Sequence, residues 1–450
     1  MIEDLEKSVA EFIKELLIEV QALKKENKWR EKIITINEYK FDNFSYNTQT
    51  GNMNIGKYSW QPKQIKILDQ TIHDEIIQKI KEKNVYIELR NKIAALQDKP
   101  LNQVDFWIEK LIERILSESA GKELDFTSVY PLLQTFLNDL IDGPIEWAIT
   151  AYISGIIMNV DKIQLEKGIS LRQPTVEDAR RLLSNTFFNS IMQYFYNISA
   201  VLEIETLQKV QPTNFPVINT YVLILLLYKK GSINVIRTYW RSNSFRTLGE
   251  ISGGPIQIPF PNEKYVFNED DKNKIMRFAS SLKSKLPIDE KNGTLSTNNY
   301  IGIALARYQD SILKNEDVIN RISYAVMGLE ALFLKSNEEG ELSMRLSQRV
   351  SKLMQAVTGD NIFEIFETVN KAYKIRSYFV HGSIQNEIKD DPKAVFDNVA
   401  NYLRISIVVF LSIENKDKDK IINLLDHSIL DHKIENNLQK MLSNYSELVR

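Results

Sequence analysis

Along the first two dozen residues, apolar side chains recur at three- and four-residue steps: Ile2, Leu5, Val9, Phe12, Ile13, Leu16, Leu17, Val20 and Leu23. That period predicts an amphipathic helix with a narrow apolar stripe. The stripe has the form of a coiled-coil seam. A repeat of only about three heptads favours packing on the helix's own domain instead. From Ile33 to Trp60 the period is lost and aromatic and polar residues alternate, as in Tyr39-Lys-Phe41 and Lys57-Tyr-Ser-Trp60. With Thr50-Gly51-Asn52 between them, these residues predict short strands or an irregular hairpin. Helical patterns return from about Gln64 to Leu140. They are clearest over Val104–Leu116, where Phe106, Ile108, Leu111, Ile112, Ile115 and Leu116 are expected on one face.

Residues 146–172 change character. Trp147 to Val160 is rich in β-branched and aromatic residues, and Lys162 to Leu171 follows a polar break, so both read as strands. Thr175, three residues before Asp178, forms the start of a capping box and opens a helix expected to reach about Tyr196. Ser199–Leu207 and Ser232–Trp240 are further strand candidates around a helix at Tyr221–Tyr228, and residues 251–261 carry too many Gly and Pro for anything but a loop. Asn268 with Glu269, Asp270 and Asp271 reads as a helix start whose acids complement the positive helix end, in preference to a metal cluster. A polar linker at 287–299 leads into an almost wholly helical stretch. Its helices are expected at about 299–314, 317–335, 341–357, 361–381, 393–414, 418–427 and 432–448. The expected class is α+β. A mostly helical region with a short β segment spans 1–145, an α+β region spans 146–290, and an all-α helical bundle spans 297–450.

Composition narrows the chemistry. Apolar residues make up 43% of the 450, enough for large cores. A net charge of −2 excludes bulk electrostatic coating of nucleic acid, so any such contact must be a local patch. With no cysteine, thiolate nucleophiles, disulfides and Cys-ligated metals are impossible. Only four histidines are present, without a His-Glu-x-x-His pattern, and zinc is not expected. Neither a phosphate-binding Gly-x4-Gly-Lys loop, a dinucleotide Gly-x-Gly-x-x-Gly nor a Gly-x-Ser-x-Gly elbow occurs. The start lacks a signal-peptide pattern and the apolar runs are short, so a cytoplasmic protein without membrane contact or cofactor is expected.

One helix carries candidate chemistry. Between Ile362 and His381, the residues Phe363, Phe366, Val369, Tyr373 and Ile375–Val380 form a broad apolar side in which Arg376 is embedded, and Gly382 suits a helix end. An unpaired guanidinium there would be costly. His381 lies five residues on, a rotation of roughly 140° in a regular helix. The two side chains therefore converge only if the helix end unwinds or a second subunit supplies its own pair.

The Arg376-x4-His381 pair resembles the Arg-x4–6-His signature of the HEPN ribonuclease superfamily. The surrounding blocks strengthen the likeness. Gly328-Leu-Glu330-Ala-Leu-Phe-Leu334, Glu341-Leu-Ser-Met-Arg345-Leu-Ser-Gln-Arg349-Val and Tyr373-Lys-Ile-Arg376-Ser-Tyr-Phe-Val-His381-Gly382 look like the three motif helices of Apea-like HEPN domains. The likeness covers roughly 300–415. More loosely, Ile153–Met158 and Leu165–Pro174, with its Leu-Arg-x-Pro turn, resemble the segment that often precedes this domain. The resemblance implies a homodimer and metal-free RNA cleavage by 2′-OH attack, leaving a 2′,3′-cyclic phosphate and a 5′-OH. His381 would be the general base or acid, Arg376 would stabilise the phosphate and Ser377 would orient one of them. It also implies a bacterial antiviral-defence or toxin effector, with an N-terminal region that senses a trigger such as phage or restrains the nuclease.

Other residues remain open to two readings. Arg345, Arg349, Lys374 and Tyr373 are candidate RNA contacts. Glu330 is a candidate structural partner, pairing with Arg345 or Arg349 to hold two helices together. The cluster of Lys229, Lys230, Arg237, Arg241 and Arg246 around Tyr239, Trp240 and Phe245 suits single-stranded nucleic acid, or a strand whose aromatics turn inward. His427 and His432 flank a helix junction, and His73 is isolated. The competing account of the whole domain is a non-catalytic HEPN dimerisation module with Arg376 in a structural ion pair.

Overall fold

The computed structural model describes residues 2–56, 58–119, 125–141, 143–184, 197–208, 216–245, 250–253, 263–289, 293–314, 316–380, 391–413, 417–443 and 445–449. Helix α1 (Ile2–Lys25) buries its apolar stripe inside the chain, against α3 (Asn84–Gln97) and α5 (Phe126–Leu140). Phe12 meets Tyr86 with ring centroids 6.2 Å apart, and the same core takes in α2 (Gln70–Lys81) and α4 (Leu101–Ser119). The stripe is thus spent on its own domain. On α4 the buried face includes Val104 and Trp107, while Phe106 is 48% exposed, a turn of the face relative to the pattern expected.

Strands β1 (Glu31–Phe41) and β4 (Tyr58–Leu68) pair antiparallel along their whole length. Residues 64–68, expected to be helical, extend β4 because Gln64 to Leu68 pair with Thr35 to Glu31. Tertiary pairing here overrides the local pattern. The ribbon ends in a small hairpin of β2 (Phe44–Asn47) and β3 (Asn52–Ile55). Tyr46 tethers it, accepting from the Met158 amide at 2.8 Å and donating to the Ser199 carbonyl at 2.9 Å.

The central sheet contains β5 (Ile145–Ser154), β7 (Lys162–Glu166), β8 (Ile169–Arg172), β9 (Ala200–Gln208), β10 (Asn234–Ser242) and β11 (Glu250–Gly253), in the order β11-β10-β5-β9-β8-β7 with every pair antiparallel. A short β6 (Ile156–Met158) pairs parallel with β12 (Tyr265–Phe267). Residues 251–253 of the expected loop are strand, because Glu250–Gly253 pairs with β10. Residues 254–262 of that expected loop lie outside the described residues. Gly168, at φ +78°, turns β7 into β8, a conformation that favours glycine.

Helix α6 (Val176–Ser184) opens on the expected capping box, with the Thr175 amide donating to Asp178 Oδ2 at 2.7 Å. The rest of the expected helix, 185–196, lies outside the described residues. Arg172 grips Asp178 with Nη2 at 3.1 Å and reaches Glu203 with Nε at 2.7 Å, while Tyr152 donates to Asp178 at 3.0 Å. The Leu-Arg-x-Pro stretch is therefore a satisfied ionic knot joining β8, β9 and α6.

Helix α7 (Pro216–Tyr228) is buried on most sides, and the backbone carbonyls at its C-terminal end need partners there. Tyr265 donates to Leu225 O at 2.9 Å and Tyr308 to Leu226 O at 3.2 Å. Arg404 donates to Leu227 O at 2.7 Å and Tyr228 O at 3.1 Å. Tyr308 belongs to α9 (Tyr300–Leu313) and Arg404 to α13 (Pro392–Ser412), so the bundle caps a helix of the sheet region. α8 (Asp271–Leu282) follows β12, and its Asp271 accepts from Lys229 and from Tyr228 at 2.7 Å.

The bundle continues through α10 (Val318–Phe333), α11 (Leu342–Thr358), α12 (Ile362–Val380), α14 (Lys418–His427), α15 (His432–Ser443) and α16 (Ser446–Val449), close to the helices expected. Residues 287–299 do not divide two cores, since one apolar cluster runs from Ile145 to Leu442 through both regions. Among the described residues, α13 is long and apolar enough to cross a membrane, but most of it is buried at the centre of this bundle.

Candidate functional site

Gly328 lets α10 and α13 approach closely, because a Cβ there would lie 2.6 Å from Leu403 Cδ2. Two residues on, in the last turn of α10, Glu330 faces α12. Its Oε2 is 3.4 Å from Arg376 Nη2. Burial pushes the Glu330 carboxyl above its ordinary value, and Arg376 opposes that shift without cancelling it. The Arg376 side chain retains 24% exposure. Its Nε is buried without a hydrogen-bond partner, and its guanidinium carbon lies 5.9 Å from the Tyr373 ring centre. Burial, and then the Glu330 charge, raise the Tyr373 phenol.

The neighbouring face of α12 opens a groove. Asn370, Tyr373, Lys374 and Ser377 stand at i, i+3, i+4 and i+7, one helical row, and face Ser343 and Met344 of α11 across a depression of about 590 Å³. Ser343 Oγ donates to Asn370 Oδ1 at 2.8 Å, which leaves the Asn370 amide N–H groups as donors. The groove mouth is shaped by Glu341, which adopts φ +50° at the start of α11.

The structure gathers Tyr373, Lys374 and Ser377 on this groove and sets Arg376 beside Glu330. His381 and Gly382 lie outside the described residues. Arg349 is elsewhere. It is 1% exposed and chelated by Asp426 (Nε, 2.7 Å; Nη2, 2.8 Å), Glu338 (Nη1, 2.8 Å) and the Phe333 carbonyl (2.8 Å). With its donors taken and no surface presented, it bolts α10, α11 and α14 together and does not line an RNA path. Arg345 leans on the same Glu338 at 3.4 Å and stays partly exposed. The expected pairing of Glu330 with Arg345 or Arg349 is therefore replaced by Glu330 with Arg376, while Glu338 takes both arginines of α11.

Sequence reasoning missed Glu338, Asp426 and Asn370. Glu338 precedes α11 in an irregular stretch and Asp426 is 77 residues from Arg349, so no local period announces either. Asn370 did carry a signal, its helical spacing to Tyr373, Lys374 and Ser377. In the basic-aromatic stretch, Tyr239, Trp240 and Phe245 are buried, Lys229 pairs with Asp271, and Lys230 pairs with Asp397 and Glu263, which is the inward-turned arrangement. Searches against protein-family models, curated proteins and solved structures found no match to this chain.

Proposed function

We propose that the protein is a metal-independent RNA endonuclease of the HEPN class, working through Arg376 and His381 as a homodimer. The observation that supports this most is a partly exposed guanidinium beside an open groove, with Asn370, Tyr373, Lys374 and Ser377 on one side and Glu341, Ser343 and Met344 on the other. A strand of RNA along that groove would meet Lys374 and Ser377 with its phosphates and the Tyr373 ring with a base. In sequence His381 stands four residues beyond Ser377.

The reaction is transesterification. The ribose 2′-oxygen bonds to the adjacent phosphorus as the bond from phosphorus to the 5′-oxygen breaks. His381 takes the 2′ proton while water protonates the leaving 5′-oxygen, or as imidazolium it protonates that oxygen while water takes the 2′ proton. Arg376 holds the non-bridging oxygens as their charge grows. The products are a 2′,3′-cyclic phosphate and a 5′-hydroxyl. A role as a cytoplasmic antiviral or toxin effector, triggered through residues 1–290, rests on the family resemblance alone.

The second reading, a non-catalytic HEPN dimerisation module, draws on the contact between Arg376 and Glu330. RNA cleavage in the presence of a chelator separates the two. Wild type is expected to cleave and His381→Ala to be inactive at unchanged thermal stability. Cleavage that survives the substitution, or that is lost with chelator, overturns the nuclease.

A further inference from the structure

The α12 groove contains one group that a phosphate cannot use. Glu341 lines it together with Lys374 and Ser377. Its backbone stands at φ +50°, directly after Gly340 at φ +76°, so a residue with a Cβ occupies the left-handed region that favours glycine. Capping does not account for it. Glu341 holds the cap position of α11, yet its side chain makes no cap hydrogen bond, and among the described residues it has no ion pair. Strained backbone of this kind clusters at ligand clamps, and here it brings an unused carboxylate to a groove.

The other groove residues set what that carboxylate meets. It repels phosphates, which fall to Lys374, and it accepts only from donors. Asn370 supplies the complement. Ser343 Oγ donates to its Oδ1 at 2.8 Å, which fixes the amide with its N–H groups left to donate. Tyr373, half-buried in the same helical row, offers a ring face, and Met344, 48% exposed, adds an apolar contact from α11.

Hydrogen-bonding edges decide among the bases. A carboxylate takes two parallel hydrogen bonds from adjacent donors. Guanine presents such a pair, N1–H and its 2-amino group, beside the acceptor O6. Adenine and cytosine offer a carboxylate one amino group, and uracil one imino N–H. We propose, on the reading of this groove as the RNA site, that it selects guanine. The base stacks on Tyr373, donates N1–H and N2–H to Glu341 and accepts at O6 from Asn370. Glu341 and Asn370 are thus specificity residues and take no part in making or breaking bonds.

The test separates binding from cleavage. Binding of short single-stranded RNAs of sequence U-U-X-U-U is measured by fluorescence anisotropy on full-length His381→Ala. Guanine at X is expected to bind at least about tenfold more tightly than adenine, cytosine or uracil, because a site built for donors rejects a base that lacks them. Inosine, which lacks the 2-amino group, is expected to lose most of that advantage with the groove unaltered. Glu341→Gln sets an amide N–H against one of the guanine donors. It is expected to reduce the preference to under about threefold at an unchanged melting temperature. The proposal is overturned if the four bases bind alike or none binds, if inosine matches guanine, or if Glu341→Gln keeps the preference. Mapping the wild-type cleavage products keeps this result apart from the nuclease reading. Cleavage without preference for guanine overturns the selection and leaves the nuclease standing. Guanine-selective binding without cleavage overturns the nuclease and leaves the base site standing.

Discussion

Glu330 Oε2 stands 3.4 Å from Arg376 Nη2, which makes a half-buried carboxylate of α10 the counter-ion of the guanidinium on α12. A phosphate must compete with that carboxylate for Arg376. A partly exposed pair of this kind is worth about 0.5–1 kcal/mol, so Glu330→Gln is expected to lower the KM for RNA about two- to fivefold with little change in kcat. Because burial raises the Glu330 carboxyl, wild-type Glu330 takes up a proton earlier on acidification than an ordinary glutamate. The gap in KM between the two proteins is accordingly expected to close as pH falls. Steady-state kinetics across pH checks both points, and a raised KM in the variant would mean that Glu330 positions Arg376 for catalysis.

Lys374 and Arg349 separate binding from folding. Lys374 lines the groove, whereas Arg349 is sealed among Glu338, Asp426 and the Phe333 carbonyl. Lys374→Ala is expected to weaken RNA binding severalfold and reduce its salt dependence by about one charge, with melting unchanged. Arg349→Met is expected to lower stability by about 3–5 kcal/mol, because it strands buried acidic partners. Salt-dependent binding assays and urea melts on the same two variants distinguish these roles.

The contrast shows what the sequence makes legible. Helical periods located nearly every bundle helix, and the capping residue Thr175 marked a true start, since these are local signals. Of the candidate site residues, Tyr373, Lys374 and Ser377 share one helical row on the groove, a spacing that is legible in the sequence. What stayed hidden depends on contacts distant in sequence. Arg345 and Arg349 read as a basic face at i, i+4, yet Glu338 and Asp426 claim that face from other elements. Glu330 sits in an apolar run that says only that it needs a cation, and three arginines were in reach of the argument. Residues 64–68 looked helical until β1 supplied a pairing partner.

The sheet region and the bundle are expected to unfold as one unit. Arg404, 5% exposed, reaches from α13 to the last carbonyls of α7, and Tyr308 reaches the carbonyl before them. Arg404→Leu leaves those carbonyls buried and unsatisfied, at a cost of about 2–5 kcal/mol. Arg404→Lys is expected to rescue little of that loss, since one ammonium does not reproduce the fork. By the same argument, a fragment of residues 297–450 should expose the apolar surface that meets α7 and α8 and lack a cooperative melt. A sharp two-state transition in that fragment would contradict the shared core.

The bolt around Arg349 also sets an acid limit. The Arg349 guanidinium, helped by the Lys335 amide, draws the Glu338 carboxyl from 4.5 down to about 2. A carboxyl whose value is depressed by folding favours the fold when ionised. Its contribution is complete above the unfolded value, near 4.5, and disappears as pH falls through about 2. A shift of that size corresponds to about 3 kcal/mol at neutral pH. Glu338→Gln is expected to be less stable than wild type by about 2–3 kcal/mol at pH 7, with the difference shrinking steadily between pH 4.5 and 2. Other depressed carboxylates, such as Asp178 beside Arg172, titrate in both proteins and cancel in the comparison. Urea melts of the pair at pH 7, 5, 4 and 3 measure the convergence. A difference that stays constant down to pH 3 would assign the loss to packing and not to the charge on Glu338.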